Sequence, residues 1–345
     1  MSAPGIESAP PAAQRLLELL AGKWVSAALS ACAELGIPDL LAEKPMSAEE
    51  LAERLGVEAA AVTRVLELLV SRAIFSVDRQ GRFSLTETGE ALRSDGLGKL
   101  AVLSGSRLMW DPFSRLADSL RKRRAAFELH HGAPLFEHLE QSPSDATLYH
   151  EAIDAFTRVE AKAIASTLDL SDVEHFVDVG GGRGTLLVEL LERYPRARGT
   201  LLDLESAARS AKEQIDSRGL GDRCTAVCGD FFETLPEGAD LYILKHILHN
   251  WPDDAAASLL DRVRSALAPD GRILVIDGVL LPPAYGDATR LLDLEMFALF
   301  YSARERSKPA LRKLFHGAGL RIESTHELLG TARVFVLKQR GSAAP

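Results

Sequence analysis

The fold of this chain is constrained most by an apolar segment that runs directly into a glycine-rich turn. The segment covers residues 176–184 and reads Phe-Val-Asp-Val-Gly-Gly-Gly-Arg-Gly. Gly180, Gly182 and Gly184 would let the backbone bend tightly, and a helix predicted over 185–194 would direct its free N–H groups at a ligand. The spacing departs from the G-x-G-x-x-G of dinucleotide sites, because the last glycine falls at 184 and not at 185. The turn therefore predicts a nucleotide-like ligand at the end of a buried strand.

The chain beyond residue 171 alternates strand and helix patterns, which predicts a Rossmann-like doubly wound α/β sheet. Two extended stretches near the end of the chain predict an antiparallel C-terminal edge pair. The strands are predicted near 174–179, 199–203, 223–228, 240–246 and 272–280, the helices near 184–194, 206–217, 254–268 and 308–317, and the edge pair at 321–327 and 332–338.

The first part of the chain predicts an N-terminal all-α winged-helix dimerisation domain over residues 13–96, with a hairpin at 78–81. A winged-helix domain commonly either binds DNA or forms a dimer with a second copy of the same chain. The candidate recognition helix, residues 57–69, carries one arginine and two glutamates, which is a poor surface for phosphates. We therefore expect a homodimer through this domain and no nucleic-acid partner, and we keep a ligand-sensing transcription factor as a less favoured alternative.

The remaining segments are predicted from composition. Residues 1–12 are rich in Pro, Ala and Ser and predict a disordered tail, and residues 97–170 predict a helical connector that contributes aromatic side chains to a substrate pocket. A length of 345 residues suits two domains, and a net charge of −9 argues against a basic nucleic-acid face. We predict that no apolar run approaches the roughly 18 residues of a membrane span, and we expect a soluble, cytoplasmic protein. The three cysteines are expected to be buried thiols.

Ligands of such a sheet bind outside the carboxyl ends of its strands, so the residues there can be collected from the sequence. The second strand ends in Asp203, about 20 residues after the glycine turn, where such folds bind the two hydroxyls of a ribose. The third strand ends in Asp230 and Phe231. The Asp230 carboxylate could accept a hydrogen bond from the exocyclic amine of a nucleotide base, and the Phe231 ring could cover the face of that base. The fourth ends in Lys-His-Ile-Leu-His-Asn-Trp at 245–251, and the fifth reaches Asp277.

These motifs together resemble the S-adenosylmethionine-dependent O-methyltransferases of plant caffeate-type and bacterial natural-product pathways, including polyketide and phenazine pathways. The resemblance covers nearly the whole chain. It is carried by Val-Asp-Val-Gly-Gly-Gly-Arg-Gly at 177–184, Gly-Asp-Phe-Phe at 229–232 and the segment at 244–254, which is similar to the family's Lys-x-Ile-Leu-His-Asp-Trp. The resemblance implies methyl transfer from S-adenosylmethionine to a hydroxyl of an aromatic secondary metabolite, without a metal.

The resemblance also implies a role for individual residues. His249 matches the catalytic base, and Asp277 and Glu305 match acids that orient it. The cofactor-binding positions implied are Gly180, Gly182, Asp203, Leu204, Asp230, Phe231 and Lys245. The substrate-binding positions predicted or implied are Trp110, Phe113, Phe156, Asn250, Met296 and Phe300.

Three departures from the family pattern put the substrate in question. Asn250 stands where plant relatives have Asp, His246 stands where many relatives have an aromatic residue, and Glu160 falls about where a pocket methionine often lies. Two alternatives therefore stay open. The first is an enzyme of the same fold that binds the cofactor but performs decarboxylation or hydroxylation. The second is C-methylation with a metal, held by His246 and His249 with the nearby acids.

Overall fold

The computed structural model describes residues 11–283, 288–328 and 330–340. The chain forms two compact units that divide between Trp110 and Asp111. This division falls inside the segment predicted as a helical connector.

The N-terminal unit is a set of helices with one antiparallel hairpin. Ser47 and Glu50 form the predicted capping box at the start of the third helix: the Ser47 hydroxyl accepts from the Glu50 N–H, and the Glu50 carboxylate accepts from the Ser47 N–H. The described elements are α1 (Ala12–Glu34), α2 (Ile37–Glu43), α3 (Ala48–Leu55), α4 (Ala59–Val70), β1 (Phe75–Val77), β2 (Phe83–Leu85), α5 (Glu87–Glu90), α6 (Gly98–Gly105) and α7 (Arg107–Trp110).

Helix α1 corrects one prediction. It contains an 18-residue window of mean hydropathy 1.4, of which 17% is buried, so by length and composition it could cross a membrane. The prediction that no apolar run approaches that length is wrong, because Glu18 and Lys23 interrupt the run without lowering its average enough. The exposed apolar side chains Leu17, Leu20 and Trp24 are spaced three and four residues apart, so they share one face of the helix. That face is exposed among the described residues of this unit.

The C-terminal unit begins with helices and continues into a large sheet. Its helices are α8 (Leu116–Lys122), α9 (Ala126–His131), α10 (Leu135–Gln141), α11 (Pro143–Thr167), α12 (Thr185–Arg193), α13 (Glu205–Ser217), α14 (Asp253–Ala266), α15 (Thr289–Phe300) and α16 (Lys308–Gly317), with 3-10 helices at Asp111–Arg115 and Leu248–Asn250. Its strands are β3 (His175–Val179), β4 (Arg198–Asp203), β5 (Cys224–Cys228), β6 (Ala239–Lys245), β7 (Leu267–Leu280), β8 (Arg306–Ser307), β9 (Leu320–Glu327) and β10 (Ala332–Gln339).

The sheet has the strand order β5-β4-β3-β6-β7-β10-β9, with β8 paired to β7. Strands β5, β4, β3, β6 and β7 are parallel, whereas β10 runs antiparallel to both β7 and β9. The doubly wound sheet and its antiparallel edge pair are therefore confirmed. The strand order reverses between β3 and β6, and at such a switch point the connections leave a crevice at the carboxyl ends of the strands. The glycine turn follows β3 and lies at this crevice.

Three features of the fold were not predicted. Helix α15 and the short strand β8 lie in a part of the sequence for which no element was expected, and no helix was expected at the position of α2. Cys32 and Cys224 are buried thiols, but Cys228 is exposed, so the expectation of three buried thiols is wrong for that residue. Cys228 ends β5, the edge strand of the sheet, where one side has no neighbouring strand among the described residues.

Candidate functional site

The glycine turn adopts a backbone that favours glycine at three positions. The φ angles of Gly180, Gly182 and Gly184 are +69°, +59° and +81°. A Cβ on Gly180 would lie 2.5 Å from Cδ1 of Ile247, whereas a Cβ on Gly182 would meet no described atom within 4 Å. Gly182 therefore faces open space, and the turn presents bare backbone there.

Asp203 ties the end of β4 to the glycine turn. Its Oδ2 accepts from the Gly182 N–H at 2.8 Å, and its Oδ1 accepts from the Leu204 N–H at 2.7 Å. Burial raises the pKa of Asp203, and these two backbone hydrogen bonds oppose that rise. Leu204 itself is 58% exposed and precedes α13.

Two acidic residues that were not predicted as site residues, Asp178 and Asp154, also adjoin this turn. Burial raises the pKa of Asp178 to about 7, although Lys245 opposes the shift. A Cβ on Gly181 would lie 2.7 Å from the Asp178 carboxyl. Asp154 of α11 accepts from the Thr185 hydroxyl at 2.8 Å and lies 3.2 Å from Nε of Arg183, so it fastens the turn to α11.

The turn after β5 holds Asp230 and Phe231. The Asp230 carboxylate is exposed and accepts from the Phe232 N–H at 2.8 Å. The Phe231 ring is half-buried and meets the Trp251 ring edge-on, with centroids 6.0 Å apart. Both residues follow β5, which pairs with β4, and they lie at the same edge of the sheet as the glycine turn.

A buried histidine and two buried acids come together after β6 and β7. Nδ1 of His249 lies 2.7 Å from Oε1 of Glu305 and 3.7 Å from Oδ1 of Asp277. Burial alone would lower the pKa of His249, but the Glu305 hydrogen bond and the nearby Asp277 outweigh it, so the pKa is raised. Burial raises the pKa of Asp277 to about 7. The structure thus brings together the three residues predicted as catalytic, from segments up to 56 residues apart.

Glu160 of α11 pairs with two consecutive side chains at the carboxyl end of β6. Its carboxylate lies 3.1 Å from Nζ of Lys245 and 2.9 Å from Nε2 of His246. Burial opposes ionisation of Glu160, but its two partners outweigh burial and lower the pKa to about 2. Lys245 also donates to the Thr157 hydroxyl at 3.1 Å. The predicted cofactor residue Lys245 is thus held by α11, an association that the sequence did not show.

His246 lies between two aromatic rings. Its ring stacks on His249 with centroids 5.4 Å apart and lies 5.8 Å from Phe156, one of the predicted substrate residues. Its φ is +55°, a left-handed conformation that is uncommon outside glycine. The Asn250 side chain donates to the His246 carbonyl at 3.0 Å and so holds this loop.

The other predicted substrate residues are dispersed. Met296 is buried and Phe300 is half-buried on α15, where the Phe300 ring stacks on Phe136 at 5.6 Å. Phe113 is 37% exposed in the 3-10 helix at the start of the C-terminal unit. Trp110 ends α7 in the N-terminal unit.

Helix α15 adds an acid that the sequence did not single out. Burial raises the pKa of Glu295, and His249 opposes that rise. Burial also raises the pKa of Tyr149, to about 12, with Glu295 adding to the shift. Neither residue belongs to a recognisable motif, because α15 and α11 approach His249 only through the tertiary fold.

Comparison with known proteins identifies the two units. An O-methyltransferase domain matches residues 113–321, and an O-methyltransferase dimerisation domain matches residues 6–95. The chain belongs to the O-methyltransferase family. It is therefore an S-adenosylmethionine-dependent O-methyltransferase, and its N-terminal unit is a dimerisation domain.

Similar proteins come from bacterial natural-product pathways. The mitomycin biosynthesis 6-O-methyltransferase of Streptomyces lavendulae is 34% identical over 93% of this chain and 92% of its own length. The 3-amino-4-hydroxybenzoate 4-O-methyltransferase of Streptomyces cremeus is 34% identical over 95% of this chain and 92% of its own length. The solved structure of a methyltransferase of calicheamicin biosynthesis, bound to S-adenosylhomocysteine, aligns with a TM-score of 0.84 at 31% identity, over 95% of this chain and 98% of that one.

The residues at the glycine turn fit the cofactor of this methyltransferase. S-adenosylmethionine carries a sulfonium, an ammonium and a ribose, so its site needs acceptors, negative charge and close backbone approach. Asp203 and Asp178 adjoin a turn whose Gly182 faces open space, and Asp230 follows β5, the strand next to β4. The carboxylate acceptors and the bare turn therefore suit this cofactor.

Proposed function

We propose that this methyltransferase methylates a phenolic hydroxyl of an aromatic secondary metabolite, with His249 as the general base. The observation that carries the proposal is the 2.7 Å contact between Nδ1 of His249 and the carboxylate of Glu305. This contact assigns the Nδ1 proton to the histidine, because the carboxylate can only accept. Nε2 is then left as a lone pair that can accept the proton of an acceptor hydroxyl.

The chemistry of the acceptor explains why a base is useful. A phenol with an ordinary pKa of about 10 is a weak nucleophile at neutral pH, whereas an imidazole with an ordinary pKa of about 6.5 can remove its proton as the oxygen attacks. Bound S-adenosylmethionine supplies an electrophilic methyl group on sulfur. Glu305 and Asp277 then stabilise the imidazolium that forms on His249, which is the role that the raised pKa of His249 supports.

The remaining site assignments are proposals of the same kind. Asp203 would bind the ribose, Asp230 and Phe231 the adenine, Leu204 the adenine face, and Lys245 the wall of the cofactor cleft. The exposed Leu204 and the half-buried Phe231 support this, since both offer apolar surface at the carboxyl edge of the sheet. Met296, Phe300, Phe156, Phe113 and Asn250 of the C-terminal unit would contribute to the acceptor site.

The acceptor class is inferred from relatives. The relative named for 3-amino-4-hydroxybenzoate acts, by that name, on a small hydroxylated aromatic acid. Phe156, Phe300 and Met296 would give an acceptor of this kind flat apolar contacts, and Met suits such surfaces because it adapts its shape. We infer a hydroxylated aromatic acceptor of one or two rings.

Homodimer formation is proposed to use the exposed face of α1. The dimerisation domain match supports dimerisation, and Leu17, Leu20 and Trp24 are 66%, 61% and 63% exposed. Apolar side chains at this spacing form a stripe that a second copy of the chain can bury.

The experiment that tests the function is transfer of a labelled methyl group from S-adenosylmethionine to a panel of hydroxylated benzoates and naphthalenes. The product is identified by mass and by NMR, which distinguishes an O-methyl from a C-methyl group. Asp203→Ala serves as the control, because it should lose binding of S-adenosylhomocysteine in calorimetry while remaining folded. Loss of a carboxyl group without methyl transfer would favour the decarboxylation alternative, and a C-methyl product would favour the metal-assisted one.

A further inference from the structure

Four buried polar atoms around His249 have no hydrogen-bond partner among the described residues. They are Nδ1 of His246, both carboxyl oxygens of Asp277, and Oε2 of Glu305. The side chain of Asp277 is 3% exposed and that of Glu305 is 0% exposed. Buried polar atoms are nearly always paired, so a group of such atoms facing one another indicates a missing ligand.

The spacing of these atoms suits a single ion. One donor atom each of His246, His249 and Asp277 lies within 4.8 Å of the others. Oδ1 of Asp277 is 3.9 Å from Nδ1 of His246 and 3.7 Å from Nδ1 of His249. Ligands at about 2.0–2.2 Å from a tetrahedral ion lie about 3.3–3.6 Å apart, so the two Asp277 contacts need to close by only a few tenths of an ångström. The donor atoms of His246 and His249, which lie within 4.8 Å of each other, need to close by at most about 1.5 Å.

The His246 ring is already oriented as a ligand. Its Nε2 lies 2.9 Å from the Glu160 carboxylate, which accepts the Nε2 proton and directs the Nδ1 lone pair at Asp277. A histidine that donates its second ring nitrogen to a carboxylate is the usual arrangement of a metal-binding imidazole. Two imidazoles and one or two carboxylates select divalent transition ions such as Zn²⁺ or Co²⁺ over Mg²⁺.

The geometry points to a divalent transition-metal site formed by His246, His249 and Asp277, with Glu305 as a fourth donor, whose occupation inhibits methyl transfer. The ion would take the Nδ1 lone pair of His249, so the Nδ1 proton would leave to solvent and Nε2 would take up one proton from solvent. The neutral ring must then carry its proton on Nε2. Nε2 could no longer accept the proton of the acceptor hydroxyl. Metal binding does not depend on the proposed function, but the inhibition rests on it.

The test is calorimetric titration of the full-length protein with Zn²⁺, after chelator treatment and with S-adenosylhomocysteine bound, alongside the absorption spectrum with Co²⁺. We expect one equivalent of Zn²⁺ to bind and Mg²⁺ not to compete. His246→Asn is the main variant, because Asn tolerates the φ of +55° at this position. It should weaken Zn²⁺ binding by at least the roughly 10- to 100-fold that even outer-shell changes cost.

The matched control is His316→Asn, which removes an exposed imidazole on α16 and should leave Zn²⁺ binding unchanged. Asp277→Asn provides a second variant, and its binding should also weaken. Inhibition of methylation by Zn²⁺ should shift with the binding constant in His246→Asn. Equal Zn²⁺ binding by wild type and His246→Asn, or no saturable binding to the wild type, would overturn the site. Tight binding at this site without inhibition would overturn the inhibitory role and contradict the proposed use of Nε2.

Discussion

Replacement of Glu305 by glutamine is the most informative single change beside His249, the proposed base. The Glu305 carboxylate contacts Nδ1 of His249 at 2.7 Å, and its side chain is fully buried. Solvent screening therefore does little to weaken the interaction. Glutamine keeps the shape and can still accept a hydrogen bond, but it removes the negative charge that stabilises the imidazolium.

The size of the effect follows from the type of hydrogen bond. A buried hydrogen bond to a charged group contributes about 1.5–3 kcal/mol more than none, and the neutral amide retains only part of this. A neutral hydrogen bond contributes about 0.5–1.5 kcal/mol, so the change removes about 1–1.5 kcal/mol. At 1.36 kcal/mol per factor of ten, the turnover of Glu305→Gln should fall by about 5- to 13-fold. The binding of S-adenosylhomocysteine should be unchanged, because Glu305 lies at the base and not at the glycine turn.

The pH profile gives a second, independent readout. A general base must be deprotonated to act, so kcat rises with pH through the pKa of His249. Glu305 helps to raise that pKa, and its loss should move the acid limb of the profile to lower pH. Glu213→Gln, which changes an exposed carboxylate on α13, is the control and should alter neither quantity. Turnover within about twofold of wild type with an unmoved acid limb would refute the role of Glu305.

Two further predictions concern assembly and stability. Leu20→Glu, on the exposed face of α1, should convert the dimer to a monomer in analytical ultracentrifugation. Leu120→Glu, at a similarly exposed leucine of α8, is the control and should leave the dimer intact. A dimer that survives Leu20→Glu would contradict the proposed interface. The pKa of Asp178 is raised to about 7, so the folded protein holds this proton more tightly than the unfolded chain, and the free energy of unfolding should fall as pH rises from about 4 to 7. Asp178→Asn should make that fall shallower in denaturant titrations, and an unchanged slope would show that Asp178 is ionised in the fold.

The sequence predicted the sheet well because each strand carried a local signal. The strands ending at Asp203 and Cys228 end where the polar pattern indicated, and the glycine turn follows β3 at the switch point. Helix α15 was not predicted, because Thr289–Phe300 mixes apolar and acidic residues without a cap that marks its start. Local signals therefore located the strands and the glycine turn better than α15.

The candidate site shows the same division. His249, Asp277 and Glu305 came from a resemblance, and the structure adds that Glu305 and not Asp277 makes the short contact with Nδ1. The ion pair between Glu160 and Lys245 joins residues 85 positions apart, and no spacing rule connects them. Such contacts depend on where α11 packs against the sheet, which is a property of the tertiary fold.

The most direct test of the central claim compares wild type with His249→Ala in methyl transfer and in binding of S-adenosylhomocysteine. General-base catalysis contributes about 10²- to 10⁴-fold, so turnover should fall by that amount while cofactor affinity stays within about twofold. This result would establish a bound cofactor with His249 acting on the acceptor. Undiminished turnover in His249→Ala, with the cofactor bound as in wild type, would show that this histidine is not the base.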